Sequence, residues 1–243
     1  MAETKVIHIP GQNALLATLP HADYERLRPH LQPVALAAGQ QLNRSSRPIR
    51  YAWFPLSGVI SVCAGTGREE SIDVGMVGNE GMTGLPLTLG DGRTAFSERV
   101  EVPAMALRMK AEILNAECER HGAVDAALRR YAHAFMVMLA QGLACSRAHR
   151  VEQRCARWLL MLDDRLGPAE FPVTHQLLAQ MLAVRRASVS EVAEKFQQQG
   201  LIRYSRGMMS IPWRAGLEKQ ACDCYRTIRR EYDRLLAARA HTA

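Results

Sequence analysis

One stretch of the chain limits the possible folds more than any other. It is an apolar seam whose members recur at alternating steps of four and three residues, which places them on one face of a helix over more than three heptads. The members are Val124, Leu128, Tyr131, Phe135, Met138, Gly142, Cys145 and His149. A second apolar stripe on the same predicted helix contains Ala127, Ala134 and Val137. A helix with two apolar faces cannot leave both in water, so both need cover.

Two arrangements could cover this helix, which we place at residues 122–150. The seam could pack against the same helix of a second chain, or the whole helix could be buried within its own chain. We favour the dimer, because a small sheet domain offers little else to cover both faces. The predicted interface residues are Val124, Leu128, Tyr131, Phe135, Met138, Gly142 and Cys145.

The region before this helix has a different texture. After a helical segment at 13–31, short apolar runs at 51–54, 58–64, 71–77 and 99–109 are separated by turns rich in glycine, proline or serine. Many short strands at this spacing, without intervening helices, are typical of a small sandwich or barrel.

The region after the seam returns to helical periodicity. A helix at about 151–166 should end at Gly167-Pro168, because glycine and proline commonly follow the last helical turn. Two short helices within 171–200, a hairpin formed by 201–204 and 208–211, and an amphipathic tail at about 214–240 should follow.

The excess of positive charge is confined to the second part of the chain. The formal net charge is +7, and residues 143–243 carry 17 Lys and Arg against 10 Asp and Glu, whereas residues 1–142 are balanced. Only four of the 31 basic residues are lysines, and arginine suits planar contacts to phosphate and guanine. The composition therefore favours a polyanion as the partner of the C-terminal region, although a solvated surface would look similar.

The most specific motif lies at residues 174–202 and predicts a helix-turn-helix. Thr174 is a good N-cap, and 183–185 form the turn between two helices with apolar inner faces. Gly200 should end the second helix, and a basic hairpin follows it. Glycine is more usual than alanine at the position of Ala183. The arrangement predicts a DNA-binding winged helix whose second helix, about 185–199, reads the major groove.

In this order of elements the chain resembles the CRP/FNR family of bacterial transcription regulators. The resemblance implies an α+β fold: an N-terminal antiparallel β-roll of the cyclic-nucleotide-binding type (a double-stranded β-helix or jelly-roll) at 1–121, a long dimerisation helix at 122–150, and a C-terminal winged helix-turn-helix at 151–243 with an extra C-terminal helix. Arg186 and Ser188 match the family's base reader and phosphate contact. Ala187 and Glu191 differ from the usual acidic and basic residues, so the preferred site should differ from the usual family half-site. The predicted DNA-contacting residues are Thr174, His175, Arg185, Arg186, Ser188, Glu191, Arg203 and Arg206.

The resemblance also locates an effector pocket in the roll. Members that bind cyclic AMP use a Gly-Glu pair for the ribose and an arginine for the cyclic phosphate. Here Gly84-Leu85 and Phe96-Ser97 stand at those positions, with Glu80 as an alternative acidic residue if the alignment slips. Leucine cannot hydrogen-bond a ribose, and a phosphate buried without its arginine is costly. We therefore expect that cyclic AMP does not bind.

The six cysteines and eight histidines do not suggest a cofactor. Cys222 and Cys224 could ligate a metal, but no second Cys-x-Cys pair accompanies them, and on one helix their side chains would point about 200° apart. We therefore expect no metal site, although a haem ligand at His133 or His149, or another small ligand, stays open.

The remaining alternatives concern function class and partners. No nucleophile–base pair, phosphate loop or metal motif supports an enzyme. No apolar run reaches the roughly 18 residues of a membrane span, and the first 20 residues do not resemble a signal peptide, so we expect a cytoplasmic protein. The expected partners are double-stranded DNA, a second copy of the chain and, for an activator, RNA polymerase. The rival interpretation is a signalling module whose winged helix contacts a protein.

Overall fold

The computed structural model describes residues 12–67 and 70–237. Its N-terminal part begins with a 3-10 turn at Leu16–Thr18, helix α1 at His21–Leu27 and a 3-10 turn at Arg28–His30. Seven strands follow: β1 Gln32–Leu36, β2 Gln41–Asn43, β3 Tyr51–Pro55, β4 Val59–Gly67, β5 Glu70–Val77, β6 Phe96–Val102 and β7 Ala104–Lys110. This confirms the predicted succession of short strands.

The strands form two antiparallel sheets that enclose an apolar core. One sheet has the order β2-β6-β4-β5 and the other the order β1-β7-β3. The apolar run at 99–109 contributes to both sheets, because Pro103 separates β6 from β7. Proline has no N–H to donate to a ladder, so the run breaks there and the chain crosses from one sheet to the other. The core includes Ile60, Val100 and Ala106, all fully buried.

The rest of the chain is mainly helical. The helices are α2 Ala111–Glu119, α3 Ala123–Ala148, α4 Val151–Leu166, α5 His175–Leu182, α6 Arg186–Gln198, α7 Arg214–Gln220 and α8 Asp223–Ala237. Three short strands, β8 Phe171–Pro172, β9 Arg203–Ser205 and β10 Met208–Ser210, form a small sheet in the order β8-β10-β9. None of the helices in the described ranges is long and apolar enough to cross a membrane.

The long helix α3 packs on the roll through its apolar seam. Tyr131 donates its hydroxyl to the Met82 carbonyl at 3.0 Å. Phe135 and Met138 lie against Gly75 of β5, where a Cβ atom would come within 3.2 Å and 2.9 Å of their side chains. Glycine at this position therefore allows the close approach of helix and sheet.

This packing corrects the predicted dimer interface. Six of the seven predicted interface residues are buried within their own chain, and Gly142 is half-buried. The six are Val124, Leu128, Tyr131, Phe135, Met138 and Cys145. Helix α3 contacts β5, α2, α8 and the 3-10 turn Leu85–Leu89. The seam is therefore an intramolecular face, and the sequence argument was wrong because it did not anticipate that the C-terminal helix covers the part of α3 that the roll leaves open.

The amphipathic tail is also different from its prediction. It forms two helices instead of one segment, because the chain leaves helical geometry at 221–222 between α7 and α8. Tyr225, Ile228 and Tyr232 of α8 are buried, and the rings of Tyr232 and Tyr131 meet edge to face at 6.4 Å. The last predicted tail residues, 238–240, lie outside the described residues, as do residues 1–11 of the roll.

Two groups of ionic contacts fix α4 between the roll and the C-terminal helices. Arg165 of α4 pairs with Glu80 of the roll at 2.7 Å, and both side chains are almost fully buried. Arg214 of α7 pairs with Asp163 and Asp164 of α4 and hydrogen-bonds the Tyr225 hydroxyl. Because these charges are withdrawn from water, each depends on its partner.

Candidate DNA interface

The first helix of the predicted helix-turn-helix starts where the sequence predicts. The Thr174 hydroxyl accepts a hydrogen bond from the Leu177 N–H at 3.0 Å, which satisfies one free donor at the start of α5. Leu178, Met181 and Leu182 are buried on the inner face. The helix is thereby fixed against the domain core.

The turn requires an unusual backbone conformation. Ala183, directly after α5, has φ 50° and ψ 51°, in the left-handed region. A side chain with a Cβ atom is disfavoured there by about 1–2 kcal/mol, which explains why glycine is the more usual residue. The alanine tolerates this strain because the Val184 N–H donates to the Ala179 carbonyl and closes the turn.

The second helix presents its N-terminal end to solvent. Helix α6 begins at Arg186 with Arg185 as its N-cap, and Val189, Ala193 and Phe196 bury its inner face. Val192 is only half-buried, and Gly200 with φ 69° ends the helix as predicted. The outer positions at the start of the helix are Arg185, Arg186, Ala187 and Glu191, all exposed, and Ser188, which is half-buried.

His175 connects α5, α6 and the hairpin. Its Nδ1 lies 3.0 Å from the Ser190 hydroxyl of α6, and its ring stacks on Tyr204 of β9 at 4.4 Å between centroids. Removal of solvent lowers the pKa of His175, and the charge of Arg186 lowers it further. A neutral ring therefore holds the hairpin next to the second helix.

The basic hairpin is a tight two-residue turn. Arg206 and Gly207 have φ values of 51° and 81°, and two consecutive residues with positive φ are typical of a type I′ turn. Arg203 and Arg206 are exposed. The hairpin and the start of α6 thus offer four exposed arginines, beside which the N-terminus of α6 adds the positive end of its helix dipole.

Two of the predicted effector residues, Glu80 and Gly84, are already bound by groups of the same chain. Glu80 is fully buried and is bound by Arg165 and by the Gly78 N–H at 3.0 Å. Leu85 and Phe96 are half-buried. The N–H of Gly84 donates a hydrogen bond to a carboxylate of the same chain.

That carboxylate belongs to Glu98, which the sequence reasoning did not single out. Glu98 is buried, accepts from the Gly84 N–H at 2.9 Å and from the Asn43 amide at 2.5 Å, and its pKa is raised by burial. Gly84 precedes the 3-10 turn Leu85–Leu89. A backbone N–H that could bind a ligand's anion is thus already bound by an acidic side chain.

The positions of Cys222 and Cys224 correct the expectation that their side chains point apart on one helix. Cys222 lies outside α8, so the argument that Cys222 and Cys224 point apart on one helix does not apply. The ligand atoms of Cys145, His149, Cys222 and Cys224 all lie within 4.8 Å of one another. The sequence signal that could have revealed this group is the four-residue spacing of Cys145 and His149. His133, the other histidine considered for haem, is exposed and lies 3.7 Å from Glu231.

The described residues combine a roll, a long helix and a winged helix-turn-helix in one α+β fold. Comparison with family models gives a match of residues 153–220 to the Crp-like helix-turn-helix domain. Comparison with curated proteins gives no match.

Solved structures share most of this architecture at low sequence identity. FixK2 from Bradyrhizobium japonicum superposes with a TM-score of 0.70 at 12% identity, over 79% of this chain and 98% of that one. A CRP-family transcriptional regulator from Thermus thermophilus gives 0.63 at 19% identity, over 77% and 96%. A Crp/Fnr-family regulator from Eubacterium rectale gives 0.60 at 18%, over 85% and 96%. Residues 153–220 are therefore similar to a Crp-like helix-turn-helix domain, and the chain shares the fold of these solved structures.

Proposed function

We propose that this protein is a CRP/FNR-type transcription regulator, a homodimer that binds a specific DNA sequence by inserting α6 into the major groove. The observation that carries the proposal is the exposure of Arg185 and Arg186 at the N-terminal end of α6, beside a hairpin that bears Arg203 and Arg206. Arginine at the start of a recognition helix can bind guanine edges and phosphates at once. Residues 1–121, 122–150 and 151–243 then act as sensor, dimerisation helix and DNA-binding domain.

Base reading and backbone positioning fall to different residues in this proposal. Arg186 reads a guanine, Ser188 contacts a phosphate, and Arg203 and Arg206 hold the backbone beside the groove. Thr174, His175 and Arg185 lie at the phosphate-facing edge. Glu191 occupies a base-reading position with an acidic group, which favours a cytosine amino group over a guanine.

The dimer uses the face of α3 that remains free. Met136 and Leu143 are 57% and 66% exposed, and Ala140, between them, is exposed as well. With His133 they recur at steps of three and four, which is the spacing of a coiled-coil seam. A second copy packed on this stripe would set two recognition helices about 34–36 Å apart.

The roll does not bind cyclic AMP in this proposal. Glu98 places a carboxylate on the Gly84 N–H, and Leu85 and Phe96 supply neither a ribose acceptor nor a counter-charge. A cyclic phosphate would therefore meet a buried acid instead of an arginine. If cyclic AMP did bind, a concentration of 100 times its dissociation constant would stabilise the fold by about 2.7 kcal/mol and raise the melting temperature. Because we expect no binding, the melting temperature should be unchanged at millimolar cyclic AMP.

The DNA-binding proposal is tested by selecting bound sequences from a random duplex pool and measuring affinities for the selected and a scrambled site. We expect Arg186→Ala to cost about 1–3 kcal/mol on the selected site and little on the scrambled one. Arg226→Ala, which removes the same charge from an exposed position on α8, is the matched control.

The rival, a module whose winged helix contacts a protein, predicts no enriched sequence in that selection. An equal loss of affinity for the selected and the scrambled DNA site would mean that Arg186 contacts only phosphate. If the protein activates transcription, RNA polymerase becomes the expected protein partner, and a reconstituted transcription assay on the selected site measures the sign of regulation.

A further inference from the structure

Four side chains with metal-binding atoms converge where the long helix ends. Cys145 comes from the last turn of α3 and His149 from the position directly after it. Cys222 comes from the link between α7 and α8, and Cys224 from the first turn of α8. The three cysteines are buried and His149 is half-buried. Residues 77 positions apart in the chain thus meet at one point.

The spacing of their atoms is close to that around a single tetrahedral ion. Bond lengths of 2.3 Å to sulfur and 2.0–2.1 Å to nitrogen place tetrahedral ligand atoms about 3.8 Å apart for two sulfurs and about 3.6 Å apart for sulfur and nitrogen. Cys224 Sγ is 3.7 Å from His149 Nδ1, Cys145 Sγ and Cys222 Sγ are 3.4 Å apart, and all four ligand atoms lie within 4.8 Å of one another. Small side-chain rotations would therefore bring the four atoms to tetrahedral separations.

We propose that Cys145, His149, Cys222 and Cys224 bind one zinc ion in a closed structural site. Three thiolates and one imidazole are a common ligand set of structural zinc, and four protein ligands leave no position for a substrate. Binding releases the three thiol protons, because only the thiolates coordinate. A disulfide between Cys145 and Cys222 would involve only two of the four groups and would not explain why Cys224 and His149 lie beside them.

A buried arginine beside the group supports an anionic centre. Arg157 of α4 is 4% exposed, and its guanidinium contacts Met161 Sδ at 3.2 Å and stacks over the Trp158 ring. Neither contact neutralises its charge, and the same guanidinium interacts electrostatically with Cys145. Zinc with three thiolates and a neutral histidine carries a net charge of −1, which Arg157 would offset.

The zinc would join the long helix to the C-terminal helices. It would fix the start of α8 to the last turn of α3, next to the point at which α3 gives way to α4. The contacts of Tyr232 with Tyr131 and Met138 already hold the other part of α8 on the same helix. Zinc would therefore complete the attachment of α8 to α3 at the end of α8 that follows α7.

The test measures metal in the full-length protein purified under reducing conditions from cells grown with zinc. We expect about one zinc per chain by elemental mass spectrometry, and less than a tenth of that in Cys224→Ser and His149→Ala. Cys118→Ser is the matched control, because this half-buried cysteine lies outside the group, and it should keep its zinc. Cobalt added to the apoprotein should give the visible bands of a tetrahedral site and a thiolate charge-transfer band.

Three results would contradict the proposal. One is a reduced, folded protein that neither contains zinc nor binds added zinc or cobalt. Another is a Cys145–Cys222 disulfide in protein from cells that were supplied with zinc. It would be detected as two cysteines that resist alkylation in the denatured protein until a reductant is added. Loss of zinc from the Cys118→Ser control as strongly as from Cys224→Ser would also contradict the assignment of the ligands.

Discussion

The exposed stripe on α3 gives the sharpest test of the dimer. We consider the double variant Met136→Glu/Leu143→Glu. Both side chains are exposed in the single chain, so the substitutions leave its core intact and act on association alone. In a twofold dimer each chain would place its two glutamates against those of its partner, where like charges repel.

The expected magnitude follows from the exposed fractions of these side chains. Fully burying a leucine or methionine is worth about 1.5–3 kcal/mol, and because roughly 60% of each side chain is still exposed, each would gain about 1–2 kcal/mol at the interface. Two such residues from each of two chains give about 4–7 kcal/mol. At 1.4 kcal/mol per factor of ten, the dimer dissociation constant should rise by roughly 10³–10⁵.

Sedimentation equilibrium at a series of concentrations measures this change. The control is Met105→Glu, which puts the same charge on an exposed methionine of the roll and should leave the dimer unchanged. The melting temperature of the double variant checks that the chain still folds. A folded double variant that dimerises like the parent would refute the assignment of this face.

Three further substitutions test single contacts. Ala183→Gly should stabilise the fold by about 1 kcal/mol in urea denaturation, because glycine adopts the left-handed turn without strain; a destabilised variant would contradict this. Glu80→Gln should cost about 3–5 kcal/mol, because it leaves the Arg165 charge buried without its carboxylate, and Glu80→Gln/Arg165→Met should recover much of that loss. Burial and Arg186 depress the pKa of His175, so its neutral form stabilises the fold above its ordinary pKa near 6.5, and this contribution is lost as the pH falls below that value. His175→Gln should therefore lose less melting temperature than the parent between about pH 7.5 and 5.5.

Local chemistry was enough to predict the elements that begin and end at distinctive residues. Thr174 begins α5, Gly167 follows the last residue of α4, and Gly200 ends α6, all as expected, because capping depends on residues a few positions apart. The basic hairpin around Arg206-Gly207 followed from turn chemistry in the same way. The order of strands, long helix and winged helix was predictable from the spacing of apolar residues along the chain.

Features that depend on contacts between distant segments were not predictable from these patterns. The heptad seam of α3 is equally suited to a partner chain or to the roll and α8, and periodicity does not distinguish the two. Glu98 looked like an ordinary strand residue, because nothing near it in sequence indicates that it binds the Gly84 N–H. The convergence of Cys145 and Cys222 depends on the path of α8 back along α3.

These long-range contacts determine how a change in the roll could reach the DNA-binding domain. Glu80 of the roll holds Arg165 of α4, and Arg165 in turn lies over the Tyr232 ring of α8, 5.6 Å from its centroid. Tyr232 contacts Tyr131, whose hydroxyl is bonded to the Met82 carbonyl of the roll, which closes the circuit. Because every member of this circuit is buried, none can move without breaking a partner's contact. A signal that displaced the 78–82 segment would therefore shift α4 and α8 together, and with them the frame on which α6 is mounted.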